Sequence, residues 1–314
     1  MFAARGIGVS LALFVMLYIP LSLVISQGWR LLRQMVKPGS ARESAHALFV
    51  LRILPLALSS IFTVVFTLPS FLLLEPRASN ESVGTIPVAL GLCCLLVVAA
   101  GVLKAMSAQR ATSRALMRWL DGSTVMEPDS PVPVFRTGKD APTLTVAGVC
   151  EPKVLVSEAA IAALSPSELR TALKHELAHV RSHDNLKKLI FRLSAFPGMA
   201  GLERAWSEEA ELAADDAAVA NFDDALDLAS ALIKVSRLSA QPAPALTTGL
   251  LHSGTALHLR VQRLFSWSNR HASSRSGRGK LFGLLSAGAT LVVVVTTYSS
   301  ALTQLHAVTE WLVR

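Results

Sequence analysis

The residues "HELAH" at 175–179 place two imidazoles four positions apart, with a carboxylate directly after the first. On a helix, positions i and i+4 share a face, so His175 and His179 can hold one metal ion. Glu176 projects beside them and can take a proton from water activated at that ion. A zinc ion there would polarise a carbonyl and bring the pKa of its water toward 7. The chemistry is therefore metal-assisted hydrolysis. Such an ion usually has three protein ligands and one open position. His183 is a poor third ligand, because eight residues of helix set its backbone roughly 12 Å from that of His175. No glycine interrupts 175–183 to turn the chain back. The run "EAELAADDA" at 209–217 offers carboxylates instead. Glu211 can reach the ion, while Asp215, four residues on, accepts a hydrogen bond from a ligand histidine and fixes its tautomer. Glu208 is the second choice of ligand. In the competing reading, Glu208, Glu209, Glu211, Asp215 and Asp216 form only a solvated acidic face. The tetrahedral oxyanion needs a further donor. Tyr18 and Tyr298 fall in charge-free runs, which leaves His252, His258, Arg260 and Arg263.

The motif needs a helix, and the sequence announces one. Ser165 can cap it, Pro166 suits the first helical position, and Glu168 completes a capping box. Upstream, "PVPVF" (131–135), "TLTVAGV" (143–149) and "KVLVS" (153–157) read as short strands between Pro and Gly breaks. Residues 104–120 read as an amphipathic helix continuing from the apolar run before it. The stretch 185–200, with Lys187, Lys188 and Arg192, could lie on a membrane surface or pack within the domain. Residues 202–221, 223–238 and 252–265 read as helices, 241–249 as a loop and 268–280 as a flexible linker.

The chain has 314 residues, 52% of them apolar, and a mean hydropathy of +0.47. That excludes an ordinary soluble domain. Four runs, 6–29, 53–74, 82–103 and 281–309, carry no Asp, Glu, Lys or Arg. Each is long enough to cross a bilayer, which takes roughly 20 apolar residues. Pro20, Pro55 and Pro69 lie within such runs and are expected to kink them. The basic residues crowd at the run ends: Arg30, Arg33, Lys37, Arg42 and Arg52 after the first, Lys104, Arg110, Arg114 and Arg118 after the third, and Arg270, Arg275, Arg278 and Lys280 before the fourth. The positive-inside rule then puts the amino terminus outside and the charged segment in the cytoplasm. The net charge of +8 is a topology signal, and no direct nucleic-acid partner is expected. Three cysteines imply no disulfide framework.

"HELAH" followed by "ELAADD", with three apolar runs before and one after, resembles the BlaR/MecR type of antibiotic-sensing membrane metallopeptidases. The stretch "VLVSEAAIAALSPSELRTALKHELAHVRSHD" is also similar to the gluzincin pattern of HtpX-type and Ste24-type membrane peptidases. The resemblance implies one zinc ion, with His175, His179 and Glu211 as ligands, Glu176 as base and Asp215 as second-shell partner. The element "LRVQRL" at 259–264 resembles an Arg-hydrophobic-x-x-Leu element of related peptidases and singles out Arg260 as a catalytic group. The expected fold is mainly α: four transmembrane helices with a cytoplasmic α+β zincin-like metallopeptidase domain inserted between the third and fourth. Its divisions are 1–106, 107–280 and 281–314. The implied function is a zinc endopeptidase of a bacterial inner membrane that cuts a cytoplasmic transcriptional repressor or its own 268–280 linker. Its partners would be the protein substrate and the lipid bilayer, and the oligomeric state is left open. The alternatives are a quality-control peptidase and a non-catalytic sensor or scaffold. Glu176 argues against the last, since a purely structural site needs ligands and not a base. BlaR/MecR receptors carry a penicillin-binding sensor with a Ser-x-x-Lys nucleophile after the fourth span. No lysine here has serine three positions before it, so acylation by a β-lactam is not expected.

Overall fold

A computed structural model describes residues 2–35, 40–74, 84–127, 132–138, 141–194, 196–238, 244, 246–249 and 257–267, with a few positions between 298 and 307. Three apolar helical stretches, Arg5–Leu31, Ala41–Leu74 and Thr85–Leu120, are long and apolar enough to cross a membrane. They belong to α1 (Phe2–Met35), α2 (Ala41–Phe62) with its continuation α3 (Leu68–Leu74), and α4 (Thr85–Leu120). Between α2 and α3 the helix widens to a π-turn over Thr63–Thr67. Pro69 follows directly, and its ring would otherwise press on the carbonyl four residues back. The expected fourth span and the 268–280 linker lie outside the described residues apart from scattered positions from 298 on. α4 is one unbroken helix, so the expected division at 106/107 falls inside it.

Beyond α4 the chain forms a small mixed sheet of β1 (Thr124–Glu127), β2 (Val134–Thr137), β3 (Leu144–Ala147), β4 (Lys153–Ser157) and β5 (Thr247–Gly249), in the order β1-β2-β4-β3-β5. β2 and β4 are parallel, and the other neighbours are antiparallel. Both faces of β3 are buried. The remaining helices are α5 (Glu158–Ala163), α6 (Pro166–Arg181), α7 (Asp184–Leu193), α8 (Ala200–Ala218), α9 (Phe222–Arg237) and α10 (Leu257–Phe265). Val134, Leu144, Val154 and Val156 of the sheet share one apolar cluster with Ala172 of α6 and Leu228 and Leu232 of α9.

Strand β5 departs from expectation. Its sequence, TTG, was expected within a loop, and three residues carry no strand periodicity of their own. The strand exists because β3 offers an unpaired edge, with Thr145, Val146 and Ala147 facing Gly249, Thr248 and Thr247.

The spans and the sheet domain pack together. Arg52 of α2 is buried, and its Nε and Nη2 donate to Glu203 Oε1 of α8 at 2.9 and 2.8 Å. The same guanidinium donates to the Ser194 hydroxyl and carbonyl at 3.1 and 3.0 Å. Gly101 of α4 lies so close to the end of α7 that a Cβ there would fall 2.1 Å from the Leu193 carbonyl oxygen.

The capping box that starts α6 is present and extended. Glu168 N–H donates to Ser165 Oγ at 3.2 Å, and Ser165 N–H donates to Glu168 Oε2 at 2.7 Å. Lys234 and Ser230 of α9 also reach this carboxylate, at 2.7 and 2.5 Å. Burial pushes the Glu168 carboxyl upward, but the hydrogen bonds from Lys234, Ser230 and Ser165 outweigh it and hold it below its usual value of 4.5. The folded pKa is thus the lower one, so the stabilisation is complete above pH 4.5 and lost as pH falls through the folded value. Glu168→Ala is expected to cost about 1–2 kcal/mol at pH 7. The gap in Tm between variant and wild type should close in acid. A gap that stays constant down to strongly acidic pH would show that the carboxylate is not the source.

Candidate metal centre

Helix α6 carries His175, Glu176 and His179 toward α8, and α8 turns Glu211 and Asp215 back toward them. The Nε2 atoms of His175 and His179 lie 3.2 Å apart. Glu211 Oε2 is 3.5 Å from His175 Nε2, and Glu211 Oε1 is 3.7 Å from His179 Nε2. One ligand atom from each of the three residues falls within 4.8 Å of the others. All three are buried.

Each outer nitrogen faces a carboxylate, and the one on His179 is hydrogen-bonded to it. His175 Nδ1 lies 3.0 Å from Asp215 Oδ1, and His179 Nδ1 lies 2.7 Å from Asp184 Oδ2. A carboxylate on Nδ1 favours the tautomer whose Nε2 lone pair is free, so both lone pairs can serve the space before Glu211. Two nitrogens and a carboxylate oxygen, each ring braced from behind, suit a divalent ion such as zinc.

The buried charges of the centre act strongly on one another. Burial drives Glu211 upward, but Arg260 and then His179 outweigh it and hold the carboxyl at about 2. Asp215 is likewise held well below the usual carboxylate range, against its burial, chiefly by Arg260. His175 is lowered by burial but raised more by Asp215 and Glu211, to about 9. Glu176 behaves oppositely. Burial is its largest influence and lifts it to about 8, and neither of its oxygens has a hydrogen-bond partner among the described residues.

Arg260 was singled out as a catalytic group by resemblance. The structure places it against the two buried carboxylates, with Nε and Nη2 donating to Asp215 at 2.8 and 2.7 Å and Nη1 2.9 Å from Glu211 Oε2. Its guanidinium compensates two buried carboxylates at once. Arg263 is bound to Asp216 and to the Leu212 carbonyl, at 2.6 and 3.0 Å. His258 is exposed, Glu208 is not among the converging groups, and His252 lies outside the described residues. Tyr18 and Tyr298 donate to main-chain carbonyls, Ser194 at 3.2 Å and Val65 at 2.8 Å. The acidic face of α8 is divided: Asp216 is exposed, while Glu211 and Asp215 are buried.

His183 is exposed and takes a left-handed backbone, φ 54°, between α6 and α7. Its contribution is the turn, which swings Asp184 back beneath His179. Asp184 was not anticipated, since a spacing of five from His179 is off-phase for a continuous helix. Lys188 was missed as well. It was grouped with Lys187 and Arg192 in a stretch expected either on a membrane surface or packed within the domain, and no role was given to it; its ammonium lies in the field of Glu211, Asp184 and Glu176. Burial holds it down at about 8. A cavity of about 110 Å³ reaches His179 past Val146, Gly148 and Asn185.

Residues 145–268 match the family model for Peptidase family M48. The matched region runs from β3 to just past α10 and contains every residue of the centre. The match implies a metallopeptidase. No curated protein matches the chain.

Proposed function

We propose that this chain is a membrane-embedded, zinc-dependent endopeptidase. The observation that carries the reading is the meeting of His175, His179 and Glu211 beside a buried Glu176 that has no hydrogen-bond partner among the described residues. Zinc held there would supply Lewis acidity to a peptide carbonyl. Asp215 and Asp184 hold the two imidazoles in the ligating tautomer, and Arg260 keeps Glu211 ionised. Glu176 takes a proton from the attacking water as its oxygen bonds to the carbonyl carbon. It then delivers that proton to the nitrogen as the C–N bond breaks.

The substrate is a protein segment brought to the inner face of a bacterial cytoplasmic membrane. By its resemblance to BlaR/MecR peptidases, that segment belongs to a cytoplasmic repressor or to the chain itself. Packing of the Glu211 helix against a span, through Arg52 and Glu203, supports cleavage close to the bilayer.

The test is metal content beside hydrolysis. Detergent-purified wild type is expected to hold one zinc ion per chain and to cut a repressor encoded beside the gene, and a chelator should remove both properties. Glu211→Ala should lose most of the zinc, and the exposed His183→Ala almost none. Equal losses in the two variants would overturn the ligand set.

A further inference from the structure

Peptide hydrolysis needs a donor for the carbonyl oxygen; of the residues expected to supply it, Arg260 and Arg263 are bound to carboxylates, His258 is exposed and His252 lies outside the described residues. Nε, Nη1 and Nη2 of Arg260 all face carboxylates. Lys188 is differently placed. Its Nζ donates to a main-chain carbonyl, that of Thr247, at 2.6 Å, while its charge is felt by both Glu176 and Glu211. An ammonium that holds a main-chain oxygen while its charge acts on the base and the ligand is suited to hold the carbonyl oxygen of a substrate in the same way.

The position of that peptide is equally telling. β5 is the outermost strand of the sheet, bonded to β3 on one side, and it lies against both α6 and α7. Leu246 and Thr247 are 0% exposed and Thr248 is 2% exposed. The strand is seated within the domain and is not a surface ribbon. His175 and Glu176 are also 0% exposed. A foreign main chain adding to β3 would need the edge that β5 now covers, since adding a strand to a free sheet edge is a general mode of peptide capture.

We propose that Lys188 binds the carbonyl oxygen of the scissile peptide, and that in the resting chain the Thr247 carbonyl of β5 occupies that place. This rests on the peptidase reading. As the water oxygen bonds to the carbonyl carbon, the C=O π pair moves onto the oxygen, and the Lys188 ammonium donates to the resulting oxyanion. When the C–N bond breaks, the pair returns to re-form C=O. Lys188 donates a hydrogen bond throughout and keeps its proton. Substrate enters only as β5 gives up its edge, so the chain guards its own centre.

Two readouts on the full-length protein in detergent test this. The first is kcat for Lys188→Met and Lys188→Arg, with zinc content measured alongside. Loss of one oxyanion donor typically costs 10²–10³ in kcat, so Lys188→Met should fall by about 10² or more with zinc unchanged. Lys188→Arg, which keeps a cationic donor, should retain more. The second, independent of activity, is amide hydrogen exchange over 247–249, which should quicken in Lys188→Met as the Thr247 contact is lost. A kcat within about threefold of wild type, or unchanged exchange at β5, would overturn the proposal. Should Lys188→Met not fold, Lys188→Gln carries the same two criteria. A wild type without zinc or hydrolysis would sink the functional reading instead, while β5 exchange would still report on the Lys188–Thr247 contact.

Discussion

Glu176→Gln is expected to lower kcat for peptide hydrolysis by about 10³, within the range typical of a lost general base, while leaving bound zinc at the wild-type level. The two side chains have nearly the same shape, so the packing of α6 is kept, and His175, His179 and Glu211 remain in place. What disappears is the group that accepts and returns the proton. The structure adds a second expectation. Glu176 is 0% exposed and neither of its oxygens has a partner among the described residues, which makes its ionised form costly to bury. The neutral amide avoids that cost, so the variant should melt at the wild-type temperature or above it, as happens when an activity-bearing strain is relieved. Steady-state kinetics, metal analysis and a melting curve on one preparation decide the matter. A fully metallated Glu176→Gln enzyme within tenfold of wild-type kcat would remove Glu176 from the reaction.

The second large effect is expected at Arg260, on the fold and not on a proton-transfer step. Arg260 is 3% exposed, and Glu211 and Asp215 are 3% and 2% exposed. Removing one member of a buried charge cluster strands the others, at a cost of about 3–5 kcal/mol. Arg260→Met keeps the length of the side chain and deletes only the charge and its donors, so its loss of stability should fall in that range. Asp215→Asn added to Arg260→Met removes one of the stranded charges and should recover a substantial part of the loss. Two penalties that simply add would mean the groups are not coupled. The denaturation midpoints of the two single variants and the double variant provide the measurement.

Much of the centre was legible because it is periodic. His175 and His179 are spaced for one helical face, Glu211 and Asp215 are spaced the same way on another helix, and Ser165, Pro166 and Glu168 mark where the first of those helices starts. Three apolar helices are visible as unbroken runs for the same kind of reason: length and hydropathy are local properties. What escaped depends on turns and on partners. Asp184 reaches His179 only because His183 adopts a left-handed backbone, and no pattern of side-chain types announces that at a histidine. β5 is a strand only by virtue of the edge beside it. Lys188 shares the charge pattern of its neighbours, and only the fold of α7 against α6 and the sheet separates it from a basic surface. Arg260 was singled out by resemblance, but which of its neighbours it would face could not be read from one dimension.

The apolar cluster that joins Ile25, Trp29 and Leu48 of the spans to Met199, at the start of α8, and to Leu202 and Trp206 within it bears on how this protein can be handled. One wall of the Glu211 helix is built from the anchor itself. Cutting the hydrolytic part free of its first two helices would lay that wall open to water, and a truncated fragment would tend to clump before it could be assayed.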